Sequence, residues 1–169
     1  GFAAVQHPDV QVWATTKEGV ALTMTYEREE GVVGWQRHFT GTNGADKFTG
    51  VAGLKGETSD EVWFTVQRTV NGQEVRYMER LKSGYQDALK AAAKNGVSSQ
   101  SELVYSDCSV VAEAGGTYPI VGGLVTNLGH VEGVTCSLLV DGAVESAQTV
   151  TGGQIQLQKT TASKAVIGI

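Results

Sequence analysis

Apolar and polar side chains alternate with a period of two along much of this chain, the spacing of strands that bury one face. In "VALTMTYE", Val20, Leu22, Met24 and Tyr26 alternate with Ala21, Thr23 and Thr25, and the turn "KEG" joins this run to the preceding "VQVWATT". Two such runs around a tight turn predict a hairpin. "VVGWQRHFTG" predicts a third strand carrying Trp35, and "DKFTGVAGL" a fourth. "DEVWFTVQRTVNGQEVRYMERL" predicts a closing hairpin, because Asn71-Gly72 suits a type I′ turn with positive φ at both central residues.

The period changes once. In "SGYQDALKAAAKNG", Ser83 and Gln86 form a capping-box pattern, Asp87 falls in the first turn, Lys90 and Lys94 lie toward the end, and Asn95-Gly96 supplies a stop. Tyr85, Ala88, Leu89 and Ala92 make one narrow apolar stripe, which predicts a helix lying on a surface. "VSSQSE" then reads as a polar connector. Strand patterns resume from Leu103 in "ELVYSDCSVV", "YPIVGGLV", "GVTCSLLVDGAV", "TVTGGQIQLQ" and "KAVIGI", with tight turns at Asp141-Gly142 and Gly152-Gly153. The expected organisation is all-β with one helix: an antiparallel β module over 1–81, a helix and connector over 82–102, and a small β-barrel or β-sandwich over 103–169.

Composition agrees with many short strands. The 169 residues are 41% hydrophobic, enough for a sizeable core, and 22 glycines against 2 prolines suit tight turns. The net charge of −5 argues against general affinity for phosphate backbones, which requires Lys and Arg to displace condensed counterions. No stretch reaches the roughly 20 apolar residues of a membrane helix, and "GFAAVQHPDV" lacks the basic and apolar regions of a signal peptide. Gly1 in place of an initiator methionine suggests a processed chain or a piece of a longer one. Cys108 and Cys136 are too few for a disulfide framework, so reduced thiols in a cytosolic product are expected.

The densest group of chemistry-bearing residues is "GHVEGVTCSLLVDG", where His130, Glu132, Cys136 and Asp141 fall within fourteen positions. Val134, Cys136, Leu138 and Val140 share one strand face, so Cys136 is expected in a core, as a small hydrophobe. His130 lies about 20 Å from Cys136 along an extended strand, and no Cys-x-x-Cys or His-x-x-x-His spacing is present, so no metal is expected. Ser109 beside Cys108 lacks a nucleophile elbow, and only His7, His38 and His130 are available as bases. Asp60, Glu61, Glu74 and Glu79 are candidates for a carboxylate pair, but their positions on strands favour solvated faces. There is no phosphate-binding Gly-x-x-x-x-Gly-Lys-Ser/Thr loop. No catalytic, cofactor-binding or metal residue is therefore nominated, and the chain is not expected to be an enzyme. Trp13, Trp35 and Trp63 are possible sugar platforms, but each sits in an apolar strand and is expected in the core. Arg37, His38, Arg68, Arg76 and Arg80 could line up as a basic stripe, but Glu27, Glu29, Glu30, Glu74 and Glu79 lie close by, so cross-strand ion pairs are expected instead.

Several marks in order carry a family resemblance: Val12-Trp13, the run Thr25 to Glu29, Gly34-Trp35 with Arg37-His38, Arg76-Tyr77, Glu79-Arg80-Leu81, His130-Val131-Glu132-Gly133, Asp141-Gly142 and Ala162-Ser163-Lys164. Over nearly its whole length the chain resembles the tail tubular protein B, nozzle or packaged-DNA stabilisation proteins of short-tailed bacteriophages. The resemblance implies a virion structural protein of the phage tail, made in the bacterial host cytoplasm, with a first region like blades of a β-propeller and a small β domain after it. It implies that the intact protein forms a homo-oligomeric ring, a channel for genome retention and ejection, and contacts neighbouring head-to-tail or tail components. It also makes "HVEG" a signature at the start of a strand rather than a site. The alanine-rich helix departs from the family pattern. The alternative is a carbohydrate- or host-surface-binding β module of a phage tail protein. Two β modules without a continuous basic track are expected to be monomeric on their own, with no cofactor and no sequence-specific nucleic acid bound.

Overall fold

The structure is a computed structural model that describes residues 1–6, 10–56, 60–81 and 106–169. Strand makes up 59% of these residues, more than twice the usual share, and no helix of seven or more residues occurs among them, so the fold class is all-β. The helix expected over 83–96 lies outside the described residues. The chain divides into two compact units, Gly1–Thr69 with Gln73–Leu81, and Val70–Gly72 with Lys82–Ile169.

In the first unit, β1 (Phe2–Val5), β2 (Gln11–Thr15), β3 (Ala21–Glu27) and β4 (Val32–His38) form an antiparallel sheet in that order. A second sheet contains β5 (Lys47–Lys55), β6 (Asp60–Val70) and β7 (Gln73–Arg80). The core joins Val5, Trp13 and Ala21 of the first sheet to Val62, Phe64 and Val66 of β6, with Phe48 and Val51 packed against them. Trp13 meets the edge of Phe64 with centroids 5.4 Å apart. β6 shows why the segment folds this way: Val62, Phe64, Val66, Arg68 and Val70 are all buried at strict alternation.

The sequence pattern placed β3 correctly but not its inward face. Ala21 and Thr23 are the buried residues, whereas Leu22 and Met24 are half-buried and Tyr26 is exposed. Small side chains at Ala21 and Thr23 leave room for the indole of Trp13, which sits opposite Thr23 across the ladder. β1 was not anticipated. Its alternation is real, with Ala3 and Val5 buried, but Ala4 between them gives no polar contrast.

The inward position of Arg68 is the unusual one, since its side chain is only 1% exposed. Its guanidinium donates to Glu79 through Nε at 2.6 Å and a second nitrogen at 2.7 Å, and to Asp46 at 2.7 Å. Removing an arginine from water costs several kcal/mol, and the two-pronged carboxylate contact with a second acid beside it offsets that cost.

The second unit contains β8 (Val110–Glu113), β9 (Ile120–Val121), β10 (Leu124–Val125), β11 (Thr135–Val140), β12 (Ala143–Thr149), β13 (Ile155–Gln156) and β14 (Lys164–Gly168). They form one antiparallel sheet in the order β12-β11-β14-β8 and a smaller one in the order β13-β10-β9. Both sheets contribute to one core, which includes Ala112, Ile120, Val125, Leu128, Val131, Leu138, Val140, Ile155, Leu157 and Ile167. Two expected strands differ in detail. "YPIVGGLV" is a hairpin, because Gly122 and Gly123 both take positive φ and reverse the chain between β9 and β10. "ELVYSDCSVV" becomes strand only at Val110, since Cys108 has φ 48° in a preceding turn; its residues 102–105 lie outside the described residues.

Asn71 (φ 49°) and Gly72 (φ 73°) both occupy the left-handed region, and nothing lies within 4 Å of a Cβ built on Gly72. Gly72→Val should therefore destabilise through backbone strain alone, by about 1 kcal/mol or more, read as a lower Tm. Glu79→Leu should cost more, about 3 kcal/mol, by leaving a buried guanidinium half-compensated. Thermal denaturation of the two variants beside the parent chain checks both magnitudes and their order.

Candidate functional site

The residues of "GHVEGVTCSLLVDG" separate into structural duties. Gly129–Val131 is a single 3-10 turn ahead of β11, and the His130 ring packs at a tilt against Tyr118 with centroids 5.5 Å apart. Cys136 is fully buried in the core, as the alternation indicated, and burial pushes its thiol up to about 11, so it is protonated and unreactive at neutral pH. Glu132 reaches the turn twenty residues on, where its carboxylate accepts the backbone N–H groups of Gly152 at 2.8 Å and Gly153 at 2.6 Å. Gly152 and Gly153 both have positive φ, and a turn of that kind can aim two successive N–H groups at one carboxylate.

Asp141 does the same at the other end of β11. With Gly142 it makes the turn into β12, both at positive φ, and its carboxylate accepts from the Ser163 hydroxyl at 2.7 Å and the Lys164 N–H at 2.9 Å. Lys159 pairs with it at 2.7 Å. Lys159 and Ser163 together hold the Asp141 carboxyl well below the usual carboxylate range. Glu145 of β12 accepts the N–H groups of Gln158 and Lys159 at 2.9 and 3.0 Å. Three carboxylates thus each accept two adjacent backbone N–H groups, Asp141 taking that of Ser163 at 3.2 Å beside that of Lys164. The sequence reading missed this use of Glu132 and Glu145, because their partners lie 13 to 21 residues away.

The other candidates also go to separate duties. Glu61 accepts from the Trp63 indole at 2.9 Å and pairs with Arg80 at 2.7 Å, and those contacts, the indole first, hold its carboxyl below the usual range. Asp60 accepts the Gln6 N–H at 2.8 Å, and Glu79 is engaged by Arg68, so the structure does not pair these acids with one another. His38 bonds Thr23 through Nε2 at 2.7 Å and lies 4.9 Å from the Trp13 ring; burial lowers its pKa, which favours the neutral imidazole at pH 7. Ser109 bonds Ser106 rather than a histidine. His7 lies outside the described residues. Among the described residues no group of three His, Cys, Asp or Glu side chains is placed to hold a metal.

The tryptophans do not all behave as expected. Trp13 is core, but Trp63 is half-buried under Arg80 and Trp35 is 63% exposed. The reason is strand order: β4 is at the edge of its sheet, and Trp35 sits on the face turned away from Phe64. Trp35 is directly opposite Met24, and Val33 is directly opposite Tyr26. An exposed apolar surface of the first unit therefore combines β3 and β4 side chains, Tyr26, Val33 and Trp35 among them.

No protein-family model matches the chain. No curated protein matches it either.

The Asp141 clamp has a pH signature. The folded-state pKa is depressed, so its contribution to stability is present above the unfolded value near 3.8 and is lost as pH falls below it toward the folded pKa. Asp141→Asn should cost about 1.5 kcal/mol at neutral pH, in the range for hydrogen bonds to a charged group. The cost should shrink below pH 4. Urea denaturation of parent and variant at pH 7 and pH 3 measures both, and an equal difference at the two pH values would contradict the assignment.

Proposed function

We propose that this chain is part of a bacteriophage tail nozzle or tubular protein, a passive structural element that helps to form the channel through which the genome is retained and ejected. The observation that carries the reading is the mutual engagement of the motifs behind the resemblance. Glu132 of "HVEG" holds Gly152-Gly153, and Asp141 of "DG" holds Ser163-Lys164 of "ASK". Marks that are scattered in sequence and joined in space as carboxylate-to-turn hydrogen bonds have a structural use, as parts of a building module would. The acidic net charge suits a wall along which DNA slides without sticking. In the intact protein, copies of the chain form a ring and meet neighbouring tail components.

A second reading, a carbohydrate- or host-surface-binding module of a tail protein, draws on the exposure of Trp35. An aromatic ring open to solvent on a strand can stack on a sugar face. The genomic neighbourhood of the parent gene tests the class: portal and tail genes beside it support the tail reading, and their absence opposes it. For the chain itself, a low-salt mobility-shift assay should leave duplex DNA free at micromolar protein, and titration with cell-wall oligosaccharides should leave tryptophan fluorescence unchanged. A salt-sensitive DNA shift would overturn the passive-wall reading, and a saturable fluorescence change reversed by competitor would favour the second one.

A further inference from the structure

The backbone of β4 has an open side. Tyr26 donates to Val10 and Thr16 donates to Val20, so the even-numbered residues of β3 aim their backbone groups at β2. In an antiparallel ladder the direction alternates, so Ala21, Thr23, Thr25 and Glu27 face β4, where their partners are His38, Gln36, Gly34 and Val32. The N–H and C=O groups of Val33, Trp35 and Arg37 consequently point away from the sheet. Among the described residues no strand pairs with that side.

Exposed edges normally carry a device against further pairing. The ladders of β5 and β12 with their neighbours are broken by irregularities, at Phe48/Gly50 and opposite Cys136/Leu138. β7 presents Glu74, Arg76 and Arg80 to solvent. β9 and β13 have two residues each, and β8 has four. β1 packs against β5, where a Cβ on Gly53 would stand 3.0 Å from the Ala4 carbonyl oxygen. β4 has seven residues in unbroken register, no proline, and Val32, Val33 and Trp35 at 51%, 56% and 63% exposure.

We infer that β4 is a strand-pairing surface whose partner is β4 of a second copy of this chain, antiparallel and centred on Trp35. That register faces Trp35 with Trp35 and Val33 with Arg37, and each of these pairs exchanges two backbone hydrogen bonds. It also lays the two indoles side by side on the same sheet face, an aromatic cross-strand contact. Charge selects the direction. The turn leading into β4 carries Glu27, Glu29 and Glu30 against one arginine, whereas its far end carries Arg37. Antiparallel pairing brings Arg37 of one copy to the acidic end of the other, and parallel pairing would set like ends together. The inference goes beyond the tail reading and does not rest on it, and it replaces the expectation of a monomeric chain.

Sedimentation velocity on the 169-residue chain over a concentration series should show a dimer that weakens with salt. Hydrogen exchange gives the decisive readout. The amides of Val33, Trp35 and Arg37 should slow with rising concentration, by about tenfold when nine-tenths of the chains are paired. Gly34 and Gln36, already bonded to β3, should not change. Val33→Lys with Trp35→Lys should abolish the dimer, Arg37→Glu should weaken it, and adding Glu29→Arg and Glu30→Arg to Arg37→Glu should restore it. A chain that stays monomeric at all concentrations would overturn the inference, as would a dimer that leaves those three amides unprotected. Failure of the charge swap to restore pairing would overturn the antiparallel direction.

Discussion

Short strands joined by tight turns leave many backbone N–H groups at the loops without a ladder partner, and the second unit depends on how those groups are satisfied. A donor kept from water without a partner costs about 1–3 kcal/mol, and of the clamped positions Gly153 and Lys164 are half-buried. Glu132, Asp141 and Glu145 each accept two adjacent N–H groups, and a carboxylate bonds a backbone amide more strongly than a neutral acceptor does. Two of these clamps coincide with positive φ, on the held glycines Gly152-Gly153 in one and on the acid itself, Asp141, in the other. Backbone conformation and side-chain charge are therefore chosen together.

The first unit meets an electrostatic requirement of the opposite sign. There the buried ion is a cation, Arg68, placed on the core face of β6 among Val62, Phe64, Val66 and Val70. Asp46, from the loop before β5, and Glu79, from β7, converge on it. A valine at that position would pack more simply, so the ion pair is better understood as fixing position than as adding stability. It ties a loop and two strands to one point, and a shift in the pairing of β6 would leave the guanidinium buried without its acids.

Much of the strand layout was legible because it rests on local rules. Period-two alternation located β3, β6 and β11, and Asn71-Gly72, Asp141-Gly142 and Gly152-Gly153 marked reversals because positive φ is a property of those residues themselves. What could not be read was whatever depends on which strand lies beside which. In β3 the larger apolar residues face away from the core, because Trp13 fills the space beside Ala21 and Thr23, and nothing in β3 itself records that. Trp35 looked like a core residue since its strand is apolar, yet its exposure follows from the edge position of β4. Arg68 carried a usable signal: an arginine in register with four apolar inward residues must be buried, and a buried arginine requires acids nearby. The carboxylate clamps carried none, since Glu132 and Gly153 are separated by most of two strands.

The same distinction explains where the polar groups of the described residues are engaged. A catalytic site needs titratable groups that converge on a space a substrate can occupy, with protonation states set for proton transfer. Among the described residues the three carboxyls that are clearly lowered, Glu18, Glu61 and Asp141, are held ionised by the protein's own groups: the Glu18 backbone and Thr16 for the first, Trp63 and Arg80 for the second, Lys159 and Ser163 for the third; the cysteine that is clearly raised is sealed in a core. His38 is set toward neutrality by burial, but its Nε2 is occupied by Thr23. Each perturbed group has a structural partner that accounts for the perturbation. Among the described residues β4 leaves apolar surface and an unpaired backbone edge, and a surface of that kind is suited to binding another polypeptide strand.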